Sequence, residues 1–502
     1  MIDTAAFSEW IGLETAASKR VLTERLTVST HHTEWNTEKH HIEQLRAKFA
    51  AFKHAFHKDP TFFPDCKKIF SEIAGIEANI EELMSEHTKL EQETYNELLF
   101  LKPIFQPFNF VPWILSLWAV IRIYVLPGIA FMLPLFILIV PYLILTYAMR
   151  IPITLSNYTQ ILNSIMAGNI EFPYQEVKQD LASTIKQCAV AGVTLGQGMI
   201  QPYWNHIHLK SVDSIIQENG RLILRYKELY GQLYTILEMH GFAFFTSPLP
   251  EYTNERDATA RVILQSTSFK LALRYIGSLE VIMTLAQHPD IHPVRWLHGT
   301  SAQFHGEHIF DFQVQKRKSI TIHLSDTPHA LLTGPNKGGK STVLRSITAC
   351  MLLAHTYGCG LGNVILTPFR SMYVCLKPDD LPGSKSRFER EIEFTAETLT
   401  STGPTMVLID ELYHSTNPSD AHRSSDIYCT QLWKKPEMVS VISTHLFEFV
   451  RSADNGIQRL CCPAHTQNGI VQFDYGLRKG VCTVSSVDSL LVKNGLMRLM
   501  CP

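Results

Sequence analysis

The sequence predicts a multidomain protein of mixed class, in which α-helical regions interrupted by a strongly apolar segment precede a C-terminal α/β domain. The first observation is size: 502 residues, 45% of them hydrophobic and 18% charged, exceed what one ordinary hydrophobic core accommodates. The second is a long apolar stretch between Lys102 and Arg150, in which Arg122 is the one charged residue. The third is a change of pattern near Ile291, after which short β-type runs alternate with helical patterns, as in α/β domains.

Composition excludes some classes of function. The 45 basic and 47 acidic residues leave a net charge of −2, so no global basic surface exists for sequence-independent binding of nucleic acid, and any such role must be local. The ten cysteines are scattered without a CxxC pair, which is typical of a chain that folds with reduced thiols. Histidine pairs such as His31-His32 lack cysteines or acids at ligand spacing, which disfavours a zinc site.

The apolar segment predicts a membrane-inserted region at residues 106–149. No acidic or basic residue occurs among the 19 positions between Lys102 and Arg122 or the 27 between Arg122 and Arg150, and about 20 apolar residues span a bilayer. The turn signal Leu126-Pro127-Gly128 favours a hairpin of two limbs with Arg122 near its tip. A single crossing is the alternative.

Helical patterns flank this segment on both sides. Apolar residues recur at three-to-four spacing from Ile73 onwards and again between Leu222 and Leu237, as on the buried faces of amphipathic helices. The sequence therefore predicts four regions: helical residues 1–105, the membrane segment 106–149, a second helical domain at 150–288, and the α/β domain at 289–502.

The strongest motif follows the apolar run Ala330-Leu331-Leu332 and precedes a helical pattern. It reads GxxxxGK[ST], a phosphate-binding loop whose backbone N–H groups surround the β- and γ-phosphates of a nucleotide. Lys340 would add a positive charge there, and the Ser341 hydroxyl would ligate Mg²⁺. ATP and Mg²⁺ are therefore the predicted cofactors. The predicted nucleotide-binding residues are Gly334, Pro335, Asn336, Lys337, Gly338, Gly339, Lys340, Ser341 and Thr342.

Two further strand ends carry candidate catalytic groups. The apolar run 406–409 ends in Asp410-Glu411, and open α/β sheets bind ligands at the carboxyl ends of their strands. Asp410 would hold Mg²⁺ together with Ser341, and Glu411 would orient and deprotonate the attacking water. Another strand-like run, 439–444, ends at His445, which is placed to reach a γ-phosphate if the two strands are neighbours.

These motifs together resemble the MutS family of mismatch-repair ATPases. Residues 330–342 resemble its signature TGPNMGGKST, with Lys337 where the family usually has methionine. The run 408–412 is similar to the family's (L/M)DE(L/I), and 443–448 resembles its ATHYxEL. The resemblance implies an ABC/MutS-type P-loop ATPase domain, with Glu411 and His445 as catalytic residues and 150–288 as the family's helical core and lever.

Weaker correspondences surround the ATPase motifs. Gly383, Ser386, Phe388 and Glu391 approximate the family's GxSTFxxE with one residue inserted after Gly383. This similarity implies that Ser386 begins a helix that reaches the nucleotide of a partner subunit. After Leu412 the family usually reads GRGTST, whereas residues 413–418 here read YHSTNP.

The resemblance implies a membrane-anchored ATPase that works as a homodimer through its ATPase domains and moves its helical levers when the dimer closes. DNA is a possible partner by family resemblance, and a mismatch-reading domain is not expected in the first hundred helical residues. The alternatives are an ATP-driven membrane switch or scaffold without a nucleic-acid role, and a nucleotide binder without turnover. The expected location is a membrane, with the ATPase domain facing the cytoplasm.

Overall fold

Contacts divide the chain into two compact units, each discontinuous in sequence. The computed structural model describes residues 2–27, 32–85, 94–151, 153–154, 157–158, 181–242, 249–299, 301–376, 386–467, 470–485 and 491. The first unit comprises Met1–Ala74, Ile236–Phe242 and Leu273–Pro502. The second comprises Gly75–Thr235 and Ala243–Ala272. The predicted mixed class, helices plus sheets in the C-terminal region, is confirmed.

The helices and strands are numbered here in chain order. The helices are α1 Thr4–Ile11, α2 Ala16–Leu26, α3 Lys39–Lys58, α4 Phe62–Met84, α5 Pro112–Ala148, α6 Leu181–Met239, α7 Glu255–Leu264, α8 Ser266–Gln287, α9 Lys340–Tyr357, α10 Arg387–Thr400, α11 Pro418–Leu432 and α12 Phe447–Ser452. The strands are β1 His32–Glu34, β2 Ile291–Pro293, β3 Arg295–Trp296, β4 Phe304–Ile309, β5 Ile320–Leu324, β6 His329–Thr333, β7 Cys359–Leu361, β8 Asn363–Leu366, β9 Ser371–Cys375, β10 Thr405–Ile409, β11 Met438–Ser443, β12 Gln458–Cys461, β13 Ala464–Gln467, β14 Ile470–Phe473 and β15 Arg478–Lys479.

A seven-stranded sheet in the order β1-β9-β10-β11-β6-β12-β15 dominates the first unit. Its central strands β9, β10, β11, β6 and β12 are parallel. Every residue of β6, β10 and β11 is buried, as expected for strands covered on both faces. Because these three strands are neighbours and parallel, the residues that follow them lie along one edge of the sheet.

The N-terminal residues belong to this first unit. Strand β1 pairs antiparallel with β9, His32 lying opposite Tyr373. The Glu280 carboxylate accepts a 2.5 Å hydrogen bond from the Thr15 hydroxyl, and a Cβ on Gly277 would lie 2.6 Å from the Ala17 backbone. Residues 1–74 therefore group with the α/β residues instead of forming an N-terminal helical region of their own up to residue 105. The other predicted domain boundaries stay a prediction, and three of the four boundaries between the compact units fall inside α4, α6 and α8.

Helices build the second unit. One core cluster joins α5 to α6 and α7 through apolar side chains. These include Leu115, Ala119 and Ile123 of α5, Leu209 and Val212 of α6, and Ala260 of α7. Arg122, in the same part of α5, forms a 3.2 Å ion pair with Glu97. One face of the first third of α5 is thus packed against protein, whereas Trp113 and Leu117 are exposed.

Helix α5 runs without interruption through the residues where the sequence predicted a hairpin turn. Leu126 has φ −63° and ψ −47°, which are helical values, so the expected turn at 126–128 is wrong. A π-helical turn at Ile121–Val125 ends two residues before Pro127 and changes the hydrogen-bond spacing next to the residue that lacks a donor. Among the described residues α5 is the one helix long and apolar enough to cross a membrane: it has 37 residues, and 12% of its most apolar stretch is buried.

Distant side chains bond the carbonyl groups that two prolines of α5 leave free. Proline cannot donate to the carbonyl four residues earlier, which is that of Ile123 for Pro127 and that of Ile137 for Pro141. His206 Nδ1 lies 2.6 Å from the Ile123 oxygen, and the Tyr158 hydroxyl donates to the Ile137 oxygen at 3.2 Å. These bonds let the helix continue past both prolines.

Candidate functional site

The phosphate-binding loop connects β6 to α9 at the carboxyl edge of the large sheet. Gly334 and Gly339 have φ of +151° and +104°, a region that favours glycine. A Cβ on Gly334 would lie 3.0 Å from the Cys462 carbonyl oxygen, so the loop also needs glycine for space. The Lys340 ammonium donates to the carbonyl oxygens of Gly334 at 2.9 Å and Pro335 at 3.3 Å. The predicted loop is therefore folded around its own lysine.

The carboxylate of Asp410 lies directly against this loop. Ser341 Oγ, in the first turn of α9, donates to Asp410 Oδ2 at 2.5 Å. Ser443 Oγ, at the end of the adjacent strand β11, donates to Asp410 Oδ1 at 2.5 Å. Ser443 is fully buried and also accepts the Glu411 N–H at 2.8 Å. One hydroxyl thus fixes both residues of the acidic pair, and sequence reasoning missed this role of Ser443.

Glu411 stands between two histidines. Its Oε1 lies 3.2 Å from His445 Nε2, and its Oε2 lies 3.6 Å from His414 Nε2. Glu411 has a φ of +56°, an uncommon conformation for a non-glycine residue that is often found at functional sites. The structure therefore brings together the predicted residues Ser341, Asp410, Glu411 and His445.

Burial and charge shift two protonation equilibria at this edge. Burial lowers the pKa of Lys340, while the charges of Asp410 and Glu411 oppose that shift. Burial also lowers the pKa of His445, and the nearby Lys340 charge lowers it further, against the effect of Glu411. His445 is therefore favoured in its neutral form, which can accept or donate a hydrogen bond.

A cavity of about 570 Å³ opens above the loop. Its lining includes the loop residues 335–342 and Glu411, together with the wall residues Asp311, Val314, Lys316, Arg317, Lys318, Ile320, Val343, Arg345, Ser346, Cys462, Tyr475 and Gly476. Two wall contacts hold this shape. Arg345 Nε bonds Asp311 Oδ2 at 2.7 Å, and Lys318 Nζ donates to the Asp474 carbonyl. Residues 316–318 are the basic run Lys-Arg-Lys, and their position beside the loop depends on a tertiary contact that the local sequence does not encode.

Tyr475 shapes the open side of this cavity. Its φ is +51°, its side chain is 54% exposed, and its ring would lie 3.9 Å from a Cβ on Gly339. Val314 and Ile320 provide apolar surface in the same cavity. The cavity thus combines a polar floor at the loop with a wall that is partly aromatic and aliphatic.

Ser386 caps α10 and does not line the cavity. Its hydroxyl accepts the Glu389 N–H at 3.2 Å, and the Glu389 carboxylate accepts the Ser386 N–H at 2.7 Å, which forms a capping box. Gly383, the other end of the weak motif, lies outside the described residues. The predicted contact of Ser386 with a partner's nucleotide stays a prediction.

Tyr413 stands where the sequence departs from GRGTST, and its contacts support a backbone conformation that normally favours glycine. This residue occupies the position of the family's first glycine and has a φ of +52°. Its hydroxyl lies 2.7 Å from Thr395 Oγ1, and its ring packs against that of Phe388 at 5.8 Å. Both partners belong to α10. A strained backbone position is therefore held by packing instead of by the freedom of glycine.

The donor set suits Mg²⁺. Ser341 and Asp410 present hard oxygen atoms next to each other, and Mg²⁺ is usually held by one or two protein oxygens together with phosphates and water. In the part of the chain that the structure describes, no group of three or more His, Cys, Asp or Glu side chains could hold a metal ion. A metal bound by few protein ligands fits this edge.

A comparison with protein families agrees with this geometry. A family model described as MutS domain V matches residues 330–489. The matched region contains the phosphate loop, Asp410, Glu411 and His445. MutS domain V is the ATPase domain of its family, and residues 330–489 of this chain are similar to it.

Proposed function

We propose that this protein binds and hydrolyses ATP at the loop edge of its large sheet, as a MutS-type ATPase anchored in a membrane. The observation that carries the proposal is the contact between the loop residue Ser341 and Asp410, with Glu411 and His445 beside it. A phosphate loop, a metal-binding carboxylate and a second carboxylate on one sheet edge are the parts that phosphoryl transfer to water requires.

Nucleotide binding replaces the internal bonds of Lys340. Its ammonium now bonds two carbonyl oxygens of its own loop, and β- and γ-phosphate oxygens are stronger acceptors because they are charged. The loop N–H groups and the N-terminus of α9 stabilise the same phosphates. Val314, Ile320 and Tyr475 supply apolar and aromatic surface for the base.

Ser341 and Asp410 would hold Mg²⁺, which neutralises phosphate charge when bound. Ser443 keeps the Asp410 carboxylate oriented towards this position, because it bonds the oxygen that Ser341 does not bond. Glu411 accepts the proton of the attacking water, and His445 orients Glu411 and contacts the γ-phosphate.

A second copy of the chain completes the site. MutS-family proteins generally act as dimers, and the capped N-terminus of α10 at Ser386 is the element that would reach the partner's nucleotide. Closure of the dimer would move the long helices α4, α6 and α8. Each of these helices has residues in both compact units.

Helix α5 supports the membrane part of the proposal. Its apolar stretch is largely unburied, and a protein surface of that size is normally covered. The bonds of His206 and Tyr158 to freed carbonyl oxygens are also what a helix in hydrocarbon requires, because no water is present there to bond them. The first unit, called the ATPase unit from here on because it contains the phosphate loop, faces the cytoplasm.

Whether the protein also binds DNA can be tested with the detergent-solubilised protein. Family members generally bind DNA, whereas α5 favours a membrane switch that needs none. Titration of the detergent-solubilised protein with matched and mismatched duplex at two salt concentrations separates these functions. Phosphate contacts alone would give salt-dependent binding that ignores mismatches, and absence of binding at low salt would leave the membrane switch.

The variant Glu411→Gln tests turnover. The amide keeps the shape of the side chain but cannot accept a proton, so we expect ATP binding within threefold of the parent and hydrolysis reduced about 100-fold or more. Glu307→Gln, at an exposed position of β4, is the matched control and should hydrolyse ATP normally. Parental hydrolysis in Glu411→Gln would remove Glu411 as the base, and no hydrolysis in the parent would leave a nucleotide binder without turnover.

A further inference from the structure

We propose that the N-terminal part of α6 enters the bilayer beside α5 and forms the return limb of a membrane hairpin, so that Lys102 and Lys210 lie on one side and Arg150 on the other. This inference rests on the proposed function, in which α5 spans a membrane. It replaces the hairpin expected inside 106–149, whose turn the structure does not contain.

Contacts fix the register of the two helices. A Cβ on Gly198 of α6 would lie 3.1 Å from Pro134 of α5, so the helices touch there. Farther along α6, His206 bonds the carbonyl oxygen of Ile123, and its ring lies 5.5 Å from that of Tyr124. Residue numbers rise along α6 while they fall along α5, so the helices are antiparallel. With about 1.5 Å per residue, the two contacts are about 12 Å apart on α6 and about 16 Å apart on α5.

This register sets the depth of α6. Pro134 lies near the middle of the apolar stretch Leu126–Leu143. If α5 spans a bilayer, Pro134 is near its midplane, and Gly198, in contact with it, is at the same depth. Tyr158 is in the hydrocarbon as well, since it bonds the Ile137 carbonyl oxygen. The chain must therefore turn back after α5 and re-enter the membrane before Gly198.

Charges bracket the two limbs in the same way. Arg122 and Arg150 bound 27 uncharged residues in α5, and Lys186 and Lys210 bound 23 residues of α6 without an Asp, Glu, Lys or Arg. The register places the backbone at residue 186 near the C-terminal end of α5 and Lys210 near the level of Arg122. Both limbs thus have the length that crosses a bilayer, with basic residues at each end.

The exposed side chains of α6 agree with this depth. Ile200, two residues from the midplane contact, is 54% exposed on the protein. Tyr203 and Trp204 are exposed near the level of Tyr124, and aromatic residues of this kind are enriched where hydrocarbon meets water. The limb is less apolar than α5, which is the one described helix that is long and apolar enough to cross a membrane by itself.

A protease-protection experiment on the full-length chain tests the proposal. A recognition site for a specific protease is inserted after Arg150 in one variant and after Thr402, in an exposed turn of the ATPase unit, in the matched control. Sealed membrane vesicles are treated with the protease before and after detergent. In vesicles whose 402 site is cut from outside, we expect the 150 site to be cut at least tenfold more slowly until detergent is added.

The outcomes distinguish an error in the return limb of α6 from an error in the membrane placement of α5. Cleavage of both sites from outside, in protein that resists carbonate extraction, overturns the return limb and leaves α5 in the membrane as an internal hairpin. Release of the protein by carbonate overturns the membrane placement itself. Protection of 150 with carbonate resistance supports both.

A second variant pair keeps the test independent of the insertion. Ile200→Arg places a charge on the surface that faces hydrocarbon near the midplane, and we expect at least a fivefold fall in carbonate-resistant protein. Leu271→Arg changes a comparably exposed residue of α8 and should have no such effect. Equal membrane integration of both variants would contradict the placement of Ile200 in lipid.

Discussion

The loop edge of the large sheet and helix α5 both contain polar atoms that regular secondary structure leaves unbonded, and they satisfy these atoms differently. At the sheet edge, side chains at the ends of neighbouring parallel strands and in the helix that follows β6 bond one another. Ser341 of α9 and Ser443, the last residue of β11, both bond Asp410. In α5, the partners His206 and Tyr158 come from residues that lie beyond the helix in sequence. Local motifs therefore specify the first region, whereas tertiary contact specifies the second.

The largest expected effect is the loss of ATP binding in Lys340→Ala. The phosphate-binding loop depends on the buried ammonium group of Lys340. We expect loss of ATP binding by 100-fold or more with the fold retained, measured by nucleotide titration and circular dichroism. Lys434→Ala, an exposed lysine of the same unit, is the control. Normal ATP affinity in Lys340→Ala would remove the phosphate-loop assignment.

Ser443→Ala tests whether the acidic pair needs its shared hydroxyl. We expect turnover to fall about tenfold or more and the half-saturating Mg²⁺ concentration for nucleotide binding to rise, because Asp410 loses a 2.5 Å bond and the Glu411 N–H loses its acceptor. Ser443→Thr should restore both values. Ser440→Ala removes a comparable buried bond, to His329, away from the carboxylates. An equal loss in Ser440→Ala would reduce Ser443 to a general packing role.

Acid should destabilise the ATPase unit through His355. Its Nδ1 lies 2.9 Å from the Met351 carbonyl oxygen, and its Nε2 accepts the Phe369 N–H at 3.0 Å, so a second proton has no place. Burial lowers the pKa of His355 to about 4. Below an unfolded-state pKa of about 6.5 the unfolded chain binds a proton that the folded chain does not, so the free energy of unfolding falls by about 2 kcal/mol at pH 5.

Denaturant unfolding at pH 7 and pH 5 measures this effect. His355→Gln should lose that share of the pH dependence, whereas His40→Gln, an exposed position in α3, should keep it. If the free energy of unfolding of His355→Gln falls between pH 7 and pH 5 as much as that of the parent, another group causes the acid sensitivity.

Tyr158→Phe tests a tertiary hydrogen bond to α5, and its expected effect on stability is the smallest of those predicted here. It removes only the hydroxyl that bonds the Ile137 carbonyl oxygen. Hydrogen bonds between membrane helices contribute about 0.6 kcal/mol on average, so we expect a loss of that order in detergent unfolding titrations. The control is Tyr147→Phe, because the ring of Tyr147 is exposed on α5. Identical stability of both variants would mean that water reaches the Ile137 carbonyl.

Much of the site could be predicted because the motifs lie where parallel strands end. The positions of Ser341, Asp410, Glu411 and His445 around one edge follow from strand order and from the carboxyl-edge rule. Ser443 and the basic residues at 316–318 could not be assigned this way. A serine at a strand end and a short basic run acquire their roles only when a neighbouring strand or loop is placed beside them.

The turn predicted at 126–128 failed for a related reason. Proline and glycine mark turns when nothing compensates for the missing donor, and here a π-turn and the His206 side chain compensate. Tyr413 is a similar case, since its positive φ is supported by Thr395 and Phe388. In both places the deciding contact comes from a residue that the local pattern does not include.

The pairing of β1 with β9 also has a consequence for the order of synthesis. Residues 32–34 leave the ribosome about 340 residues before their partner strand 371–375, which at usual rates of translation is about 15 to 70 s. During that time β9 is not yet available to pair with β1, and α5 is synthesised in the interval. An ATPase fragment begun at residue 289 would expose the outer edge of β9, whose unpaired N–H and C=O groups invite pairing with other chains. Such a fragment should aggregate unless residues 1–74 are supplied with it.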